Sequence, residues 1–214
     1  MEKSAVEGVS LRPLKVVLYG SSYVKRLRQF MEHKENYANL GLDARSCHVV
    51  CWGNGGLLVS HDPFHRLGHN SYRFRNADII IIHVGSNDLS NGLRTPARVA
   101  SDILDYAQRL LEDFHPQFVV ISQLLPRYIE PCHNFNSKIR ETNLILSAHC
   151  VNFTNINFWR HRSGLWNPVV HIYGDDGIHL SDQTGNFLFL KSLRDAVLRH
   201  VRWFHQRVCL LYSS

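Results

Sequence analysis

Short apolar segments alternate along the chain with stretches in which apolar residues recur every three or four positions. The first pattern predicts β-strands and the second predicts amphipathic helices. The predicted strands are residues 15–19, 46–52, 77–84, 118–121 and 151–153. The predicted helices are residues 23–31, 95–114, 136–149 and 181–208. We expect residues 155–178 to be irregular.

The order of these elements predicts an α/β fold. Strand and helix alternate about five times, which is typical of a parallel sheet covered on both faces and joined by right-handed crossovers. The run at 77–84 is apolar almost throughout, as expected for a strand buried on both faces. No internal repeat or linker interrupts the pattern. The sequence therefore predicts one domain over residues 1–214, with residues 1–13 as a flexible N-terminal extension.

Composition narrows the class of protein. The 214 residues are 44% hydrophobic and 20% charged, which excludes a disordered chain, a collagen and a coiled coil. No apolar run approaches the roughly 20 residues that a membrane span requires, and the N-terminus lacks the apolar core of a signal peptide. The five cysteines show no CxxC spacing and are expected to be mostly free thiols in a reducing compartment. We therefore expect an intracellular protein without a membrane span.

Basic side chains leave a nucleic-acid partner open. The net charge is +6, and cations cluster on two predicted helices, although such a cluster is more often a solvated helix face. The clustered residues are Lys25, Arg26, Arg28, Lys191, Arg194, Arg199, Arg202 and Arg207.

A histidine repeat suggests a metal site as a further alternative. His61, His65 and His69 recur at every fourth position, and Asp62 adjoins the first of them. On one helix this spacing would align three imidazoles. Pro63 and Gly68 interrupt such a helix, so no metal is predicted.

Polar and glycine-rich segments follow three predicted strands and precede the last helix. Ligands of parallel sheets bind beyond the carboxyl ends of the strands, so these segments are expected to meet. Each alone fits an ordinary helix cap or turn, but together they supply a serine, glycine N–H groups, a side-chain amide and a histidine held by an aspartate. The segments are Gly20-Ser21-Ser22, Gly53-Asn54-Gly55-Gly56, Gly85-Ser86-Asn87-Asp88 and Asp175-Asp176-Gly177-Ile178-His179-Leu180-Ser181. They predict a shared Ser–His–Asp site. The Asp-x-x-His spacing selects Asp176, with Asp175 as the fallback.

In this order, these residues resemble the SGNH hydrolase superfamily, the GDSL-type esterases and lipases, from about residue 15 to residue 185. The resemblance implies a three-layer α/β/α sandwich with a five-stranded parallel sheet in flavodoxin-like order. It implies Ser22 as the nucleophile, His179 as the base and Asp176 as its orienting acid. The implied oxyanion hole consists of Ser22, Asn87 and Gly56, with Gly55 as the alternative to Gly56.

Two positions depart from the family pattern. Ser21 replaces the usual Asp, which is expected to alter loop hydrogen bonds more than the chemistry, and Tyr23 replaces Leu or Ile. More loosely, residues 20–27 resemble the esterase domains in the first open reading frame of some LINE-type retrotransposons.

The resulting prediction is a serine esterase that acts on short, acetyl-type carboxylic esters and needs neither metal nor cofactor. The expected partner is a small ester, which could be an acetylated lipid, a sugar or another small molecule. The alternative is a catalytically weakened binding or assembly module within a retroelement RNA-associated protein. Phe158, Trp159 and Trp166 are expected either to wall the pocket or to pack in the core, and His83 is expected to be a core residue.

Overall fold

A single parallel sheet holds the strands that a computed structural model describes. The described residues are 12–60, 71–166 and 170–212. The strands are β1 Leu14–Gly20, β2 Cys47–Gly53, β3 Ile79–His83, β4 Phe118–Ser122 and β5 Ile156–Trp159. Their spatial order is β2-β1-β3-β4-β5, and every neighbouring pair is parallel. This is the predicted five-stranded sheet in flavodoxin-like order.

Helices connect the strands in the described part of the chain. They are α1 Ser22–Glu32, α2 Ser86–Leu89, α3 Pro96–Phe114, α4 Phe135–Cys150, α5 Ser163–Trp166 and α6 Gly185–Tyr212. Short 3₁₀ segments lie at Glu35–Gly41, Ser71–Arg73 and Val170–Ile172. Helix α3 begins as predicted, because Thr95 caps its N-terminus by accepting a hydrogen bond from Arg98 N–H (3.3 Å) and Pro96 follows.

The strands separate two apolar cores because their side chains alternate in direction. One core lies between the sheet and helices α3 and α4, and it contains Val17, Tyr19, Ile80, Ile82, Val119 and Ile121. The other lies between the sheet and helices α1 and α6, and it contains Val16, Leu18, Ile79, Ile81, Phe118 and Val120. The molecule is therefore the predicted three-layer α/β/α sandwich.

The prediction of the last strand was wrong. Residues 151–153 form a turn after α4, and β5 lies at Ile156–Trp159, inside the segment predicted to be irregular. Strand β5 is an edge strand that pairs only with β4, and within it only Ile156 is fully buried. An edge strand carries a weaker apolar pattern than a central one, whereas residues 151–153 are apolar at two positions without being buried in the sheet.

The last helix begins at Gly185 rather than at 181. Ser181 precedes it, and its Oγ accepts hydrogen bonds from the N–H groups of Thr184 (3.3 Å) and Gly185 (3.1 Å). The serine therefore accepts hydrogen bonds from free N–H groups at the start of the helix and lies outside the helix itself.

Two glycines allow α1 to lie close to the sheet. A Cβ atom on Gly53 would stand 2.1 Å from the backbone nitrogen of Lys25, and one on Gly20 would stand 2.6 Å from the carbonyl oxygen of His83. Neither position has room for a side chain. The start of α1 is therefore held at the carboxyl ends of β1, β2 and β3.

Candidate active site

Ser22 is the first residue of α1 and follows the end of β1 directly. The preceding residue is anchored to the sheet, because Ser21 N–H donates to the carbonyl oxygen of His83 (3.2 Å). The half-buried Ser22 hydroxyl thus lies at the N-terminal end of a helix, where backbone N–H groups lack partners within the helix.

His179 and Asp176 meet Ser22 in one hydrogen-bonded line. Ser22 Oγ lies 3.0 Å from His179 Nε2, and His179 Nδ1 lies 2.6 Å from Asp176 Oδ2. The second oxygen, Asp176 Oδ1, accepts the backbone N–H groups of Ile178 (2.9 Å) and His179 (2.8 Å). The Asp-x-x-His turn passes through Gly177, whose φ of +61° favours glycine.

The carboxylate of Asp176 stays ionised over a wide pH range. Burial alone would raise its pKa, but hydrogen bonds from the backbone and ring of His179 and from Ile178 N–H outweigh that effect and lower the pKa to about 2. An ionised carboxylate only accepts hydrogen bonds, so the proton between the two side chains belongs to His179 Nδ1. His179 Nε2 is then free to accept the proton of Ser22. Asp175 is exposed and is not part of this line.

Asn87 lies in α2, directly beyond the end of β3. Its Nδ2 donates to the carbonyl oxygen of Leu57 (3.1 Å), and its Oδ1 accepts from Arg127 Nη2 (3.2 Å). A side-chain amide has two N–H donors. One of them therefore remains for a ligand, since residues 12–60, 71–166 and 170–212 offer it no second acceptor.

Gly55 and Gly56 lie in the exposed loop after β2, and Leu57 of the same loop is the residue that contacts Asn87. Gly56 has a φ of +69°, and no atom lies within 4 Å of a Cβ built on it. Glycine is thus favoured at position 56 by backbone conformation rather than by a lack of space. The assignment of Gly56 to the oxyanion hole stays a prediction.

Asp88 holds this loop in place, a role that the sequence motif did not reveal. Its buried carboxylate accepts the N–H groups of Val59 and Ser60, each at 3.0 Å, and Arg94 lies 3.6 Å away. The loop after β2 and helix α2 are therefore joined twice, at Asn87–Leu57 and at Asp88. The only sequence signal was an acidic residue immediately after Asn87, at the end of a buried strand.

A chain of buried polar side chains runs beneath the site. His83 Nδ1 contacts Ser122 Oγ (3.2 Å), which contacts His161 Nε2 (2.9 Å), and His161 Nδ1 contacts Ser192 Oγ (2.8 Å). Burial lowers the pKa of His83 to about 4, and burial together with the nearby His83 lowers that of His161 to about 3. Both imidazoles are therefore neutral at pH 7. His83 is a core residue, as expected, but its partners were not foreseen.

The aromatic residues considered as pocket walls pack against the cores instead. Phe158 and Trp166 pack against one core and Trp159 against the other, with Trp159 Nε1 donating to Ser192 Oγ (3.1 Å). A different apolar side chain lies next to the triad: Ile129 is about half exposed (53%), and its N–H donates to Gly177 O (2.9 Å).

Several cations of the two basic helices have partners within the chain. Arg26 lies 3.4 Å from Asp176 and Arg28 lies 3.3 Å from Glu32. Lys191 and Arg199 lie over the rings of Phe187 and Trp203 at 4.2 and 4.6 Å. Such pairing is typical of a solvated helix face and gives no support to a nucleic-acid partner.

The histidine repeat cannot be placed, because residues 61–70 lie outside the described residues. Among the residues that are described, no group of three or more His, Cys, Asp and Glu side chains could hold a metal ion. No helix in the same ranges is long and apolar enough to cross a bilayer.

Comparison with known proteins identifies the family. The family model described as GDSL-like Lipase/Acylhydrolase matches residues 7–191, whereas no curated protein matches the chain significantly. None of these comparisons supports the narrower link to LINE-type retrotransposons.

Solved structures share the fold at low sequence identity. A GDSL-like lipase of Bacteroides thetaiotaomicron has a TM-score of 0.66 at 14% identity, with 87% of this chain and 88% of that chain covered. The lipase/acylhydrolase of Enterococcus faecalis has a TM-score of 0.60 at 19% identity and coverage of 91% and 96%. A carbohydrate esterase family 3 protein of Talaromyces cellulolyticus has a TM-score of 0.64 at 14% identity and coverage of 88% and 98%. With its sheet order and a family match that spans most of its length, the chain belongs to the GDSL-like lipase/acylhydrolase family, the SGNH hydrolases.

Proposed function

We propose that this protein is a serine esterase in which Ser22 is the nucleophile, His179 the general base and Asp176 its orienting acid. The observation that carries the proposal is the unbroken hydrogen-bonded line from Ser22 Oγ through the imidazole to the carboxylate. An anionic Asp176 fixes the proton on Nδ1 and stabilises the imidazolium that forms when Nε2 takes up a proton.

The proposed reaction has two steps. Ser22 Oγ attacks the ester carbonyl carbon while its proton passes to His179 Nε2, and the carbonyl electron pair moves onto oxygen. The N–H groups of Ser22 and Gly56 and the free amide N–H of Asn87 hold this oxyanion. The intermediate collapses by breaking the bond to the alcohol, which leaves with the proton from His179. Water, deprotonated by the same imidazole, then hydrolyses the acyl-enzyme and regenerates Ser22.

We propose a short acyl group, of the acetyl type, on a lipid, a sugar or another small molecule. The triad is accessible: Asp176 is 38% exposed and His179 is 19% exposed, as a shallow site requires. The fold neighbour from Talaromyces cellulolyticus is a carbohydrate esterase, which supports a sugar ester among these candidates. Ile129, exposed beside the Gly177 turn, offers apolar contact to an acyl chain.

The decisive experiment compares hydrolysis of p-nitrophenyl acetate, butyrate and octanoate by the wild type, Ser22→Ala and the matched control Ser21→Ala. We expect the acetate ester to give the highest kcat/KM, Ser22→Ala to lose nearly all turnover and Ser21→Ala to retain it. Loss of turnover in Ser21→Ala but not in Ser22→Ala would show that Ser22 is not the nucleophile. Preference for octanoate would contradict the short-chain proposal alone.

A second candidate is a binding module with weakened catalysis. The observation in its favour is Ser21, which stands where the family has Asp and whose buried Oγ has no hydrogen-bond partner among the described residues. A fluorophosphonate probe separates the two functions, because it labels an activated serine whatever the natural ester is. Labelling that requires Ser22 supports the esterase, and its absence in folded wild-type protein supports the binding module.

A further inference from the structure

Arg127 is a buried cation to which the described part of the chain offers no opposite charge. It follows β4, is only 5% exposed, and no described carboxylate forms an ion pair with it. Its guanidinium contacts neutral groups: Nη1 donates to Ser90 Oγ (3.1 Å), Nη2 donates to Asn87 Oδ1 (3.2 Å), and its carbon lies 4.7 Å from the centre of the Phe135 ring. Burial of an unpaired charge is costly, so a function is expected to maintain it.

The contact with Asn87 determines which way that amide faces. Arg127 offers only donors, so it requires the oxygen of the amide, and the carbonyl of Leu57 requires the nitrogen. If the Asn87 amide were rotated by half a turn, its NH₂ group would face the Arg127 guanidinium and its oxygen would face the carbonyl oxygen of Leu57. The two contacts together therefore keep the Asn87 NH₂ group on the side of the glycine loop.

The same guanidinium also acts on a residue beside the triad. The positive charge of Arg127 lies near the Tyr23 hydroxyl and opposes the rise of the Tyr23 pKa to about 12 that burial causes. The Tyr23 hydroxyl in turn donates to the carbonyl oxygen of Ile178 (2.7 Å), and the Tyr23 ring lies 5.9 Å from the ring of His179. Tyr23 thus joins Arg127 to the turn that carries the base.

We propose that Arg127 is a positioning residue that orients the Asn87 amide toward the oxyanion and, through Tyr23, steadies the turn bearing His179. Its positive charge has no carboxylate partner among the described residues and is favoured further when the nearby carbonyl oxygen becomes negative. The inference rests on the proposed esterase function. It adds a residue, Arg127, that neither the family motifs nor the triad geometry assigns.

The test is a double-substitution cycle on p-nitrophenyl acetate hydrolysis, with Arg127→Met, Asn87→Ala and both together. Arg127→Met is expected to lower kcat by about 10- to 100-fold, with KM changed less than about threefold. In the Asn87→Ala background the same change is expected to cost less than about threefold, because its main target is gone. Equal losses in both backgrounds, or no loss in either, would overturn the proposal.

Variants separate positioning from folding. Arg162→Met removes an exposed guanidinium that pairs with Asp195 and is the matched control, expected to keep wild-type kcat. Arg127→Lys keeps the charge but not the planar fork and is expected to recover part of the kcat lost in Arg127→Met. Tyr23→Phe removes only the hydroxyl link and is expected to lower kcat without altering the Asn87 amide.

An NMR measurement makes the outcome independent of turnover. In the wild type the side-chain amide of Asn87 is expected to exchange slowly with solvent, and in Arg127→Met it is expected to exchange faster while backbone signals remain folded. An unchanged Asn87 amide would overturn the proposal even if activity fell. If the Asn87 amide exchanges faster in Arg127→Met than in the wild type, but the wild type does not hydrolyse the ester, the esterase function is overturned. The positioning role of Arg127 then remains intact.

Discussion

Ser22 Oγ and His179 Nε2 lie 3.0 Å apart although the two residues are separated by 157 positions in the sequence. The serine is held by the end of β1, and the histidine by a turn that precedes the last helix. Their meeting depends on the sheet order, which places β1 between β2 and β3, inside the sheet rather than at its edge. The site is thus a property of the whole fold.

Ser21→Ala is expected to leave the free energy of unfolding unchanged or to raise it by up to about 1 kcal/mol. The Ser21 hydroxyl is buried without a partner among residues 12–60, 71–166 and 170–212, so its removal ends a desolvation cost. Urea unfolding followed by circular dichroism measures the change. A loss of about 2 kcal/mol or more would reveal an unrecognised partner of the hydroxyl.

Asn87→Ala is expected to lower kcat by about 10²–10³-fold, the usual cost of one oxyanion donor. Asn87→Asp has almost the same shape but offers no N–H and adds a negative charge, so we expect a larger loss. Steady-state kinetics with p-nitrophenyl acetate measure both variants. A raised KM with an unchanged kcat would instead show that Asn87 contributes to substrate binding and not to stabilisation of the transition state.

Asp176→Asn is expected to lower kcat by roughly 10⁴-fold, because a carboxamide no longer fixes the imidazole proton on Nδ1. Asp175→Asn, which changes the adjacent exposed carboxylate, is the matched control and should keep wild-type kcat. The assignment fails if the two variants exchange these results.

The depressed pKa of Asp176 also has a consequence for stability. A carboxylate whose pKa in the folded state lies near 2 stabilises the fold above its unfolded pKa, and that contribution is lost as the pH falls toward 2. Asp176 should therefore remain ionised from pH 5 to pH 9. Titration followed by NMR of its carboxyl carbon checks this, and a midpoint above pH 4 would contradict it.

The buried histidines make the fold sensitive to mild acid. The folded pKa values of His83 and His161, about 4 and 3, lie below the ordinary value for histidine, so between pH 6.5 and 4 the unfolded state binds more protons. The contribution of these two histidines to the free energy of unfolding is therefore fully present above about pH 6.5. It falls with decreasing pH, by about 1.4 kcal/mol per pH unit for each histidine.

His161→Gln removes one of these groups while keeping a polar side chain. We expect a shallower decline of the urea midpoint between pH 6.5 and 4.5 than in the wild type, even if the variant is less stable at pH 7. Identical slopes for the two proteins would show that His161 takes up no proton on unfolding in this range.

Asp88→Asn is expected to lower the free energy of unfolding by about 1–3 kcal/mol and to lower kcat as well. The carboxylate accepts one N–H on each oxygen, from Val59 and Ser60, and an amide cannot accept both in that geometry. Thermal unfolding and kinetics on the same preparation check both effects. Full kcat in a destabilised variant would mean that the loop position does not matter for catalysis.

The sequence predicted four of the five strands and the long helices that flank them. It also named Ser22, His179 and Asp176, which lie within hydrogen-bond distance of one another in the fold, while their catalytic roles stay a prediction. The strands, the helices and the pairing of Asp176 with His179 depend on short-range information: apolar periodicity marks buried faces, and the Asp176-x-x-His179 spacing allows a carboxylate to reach Nδ1 within one turn. Ser22 was implied by the family resemblance. The position of strand β5 was not predicted because an edge strand is only partly buried, so the apolar pattern at Ile156–Trp159 is weak.

Tertiary structure alone decided the supports of the site. Asn87 is oriented by Arg127, the loop after β2 is held by Asp88, and His83 is linked through Ser122 to His161. These residues come from different elements, and no periodicity or spacing relates them. The local pattern of the chain determines which segments become strands and helices, because burial of a face is a local requirement. Which buried polar groups become partners depends on how those segments pack, because a hydrogen bond requires atoms about 3 Å apart that only the assembled layers bring together.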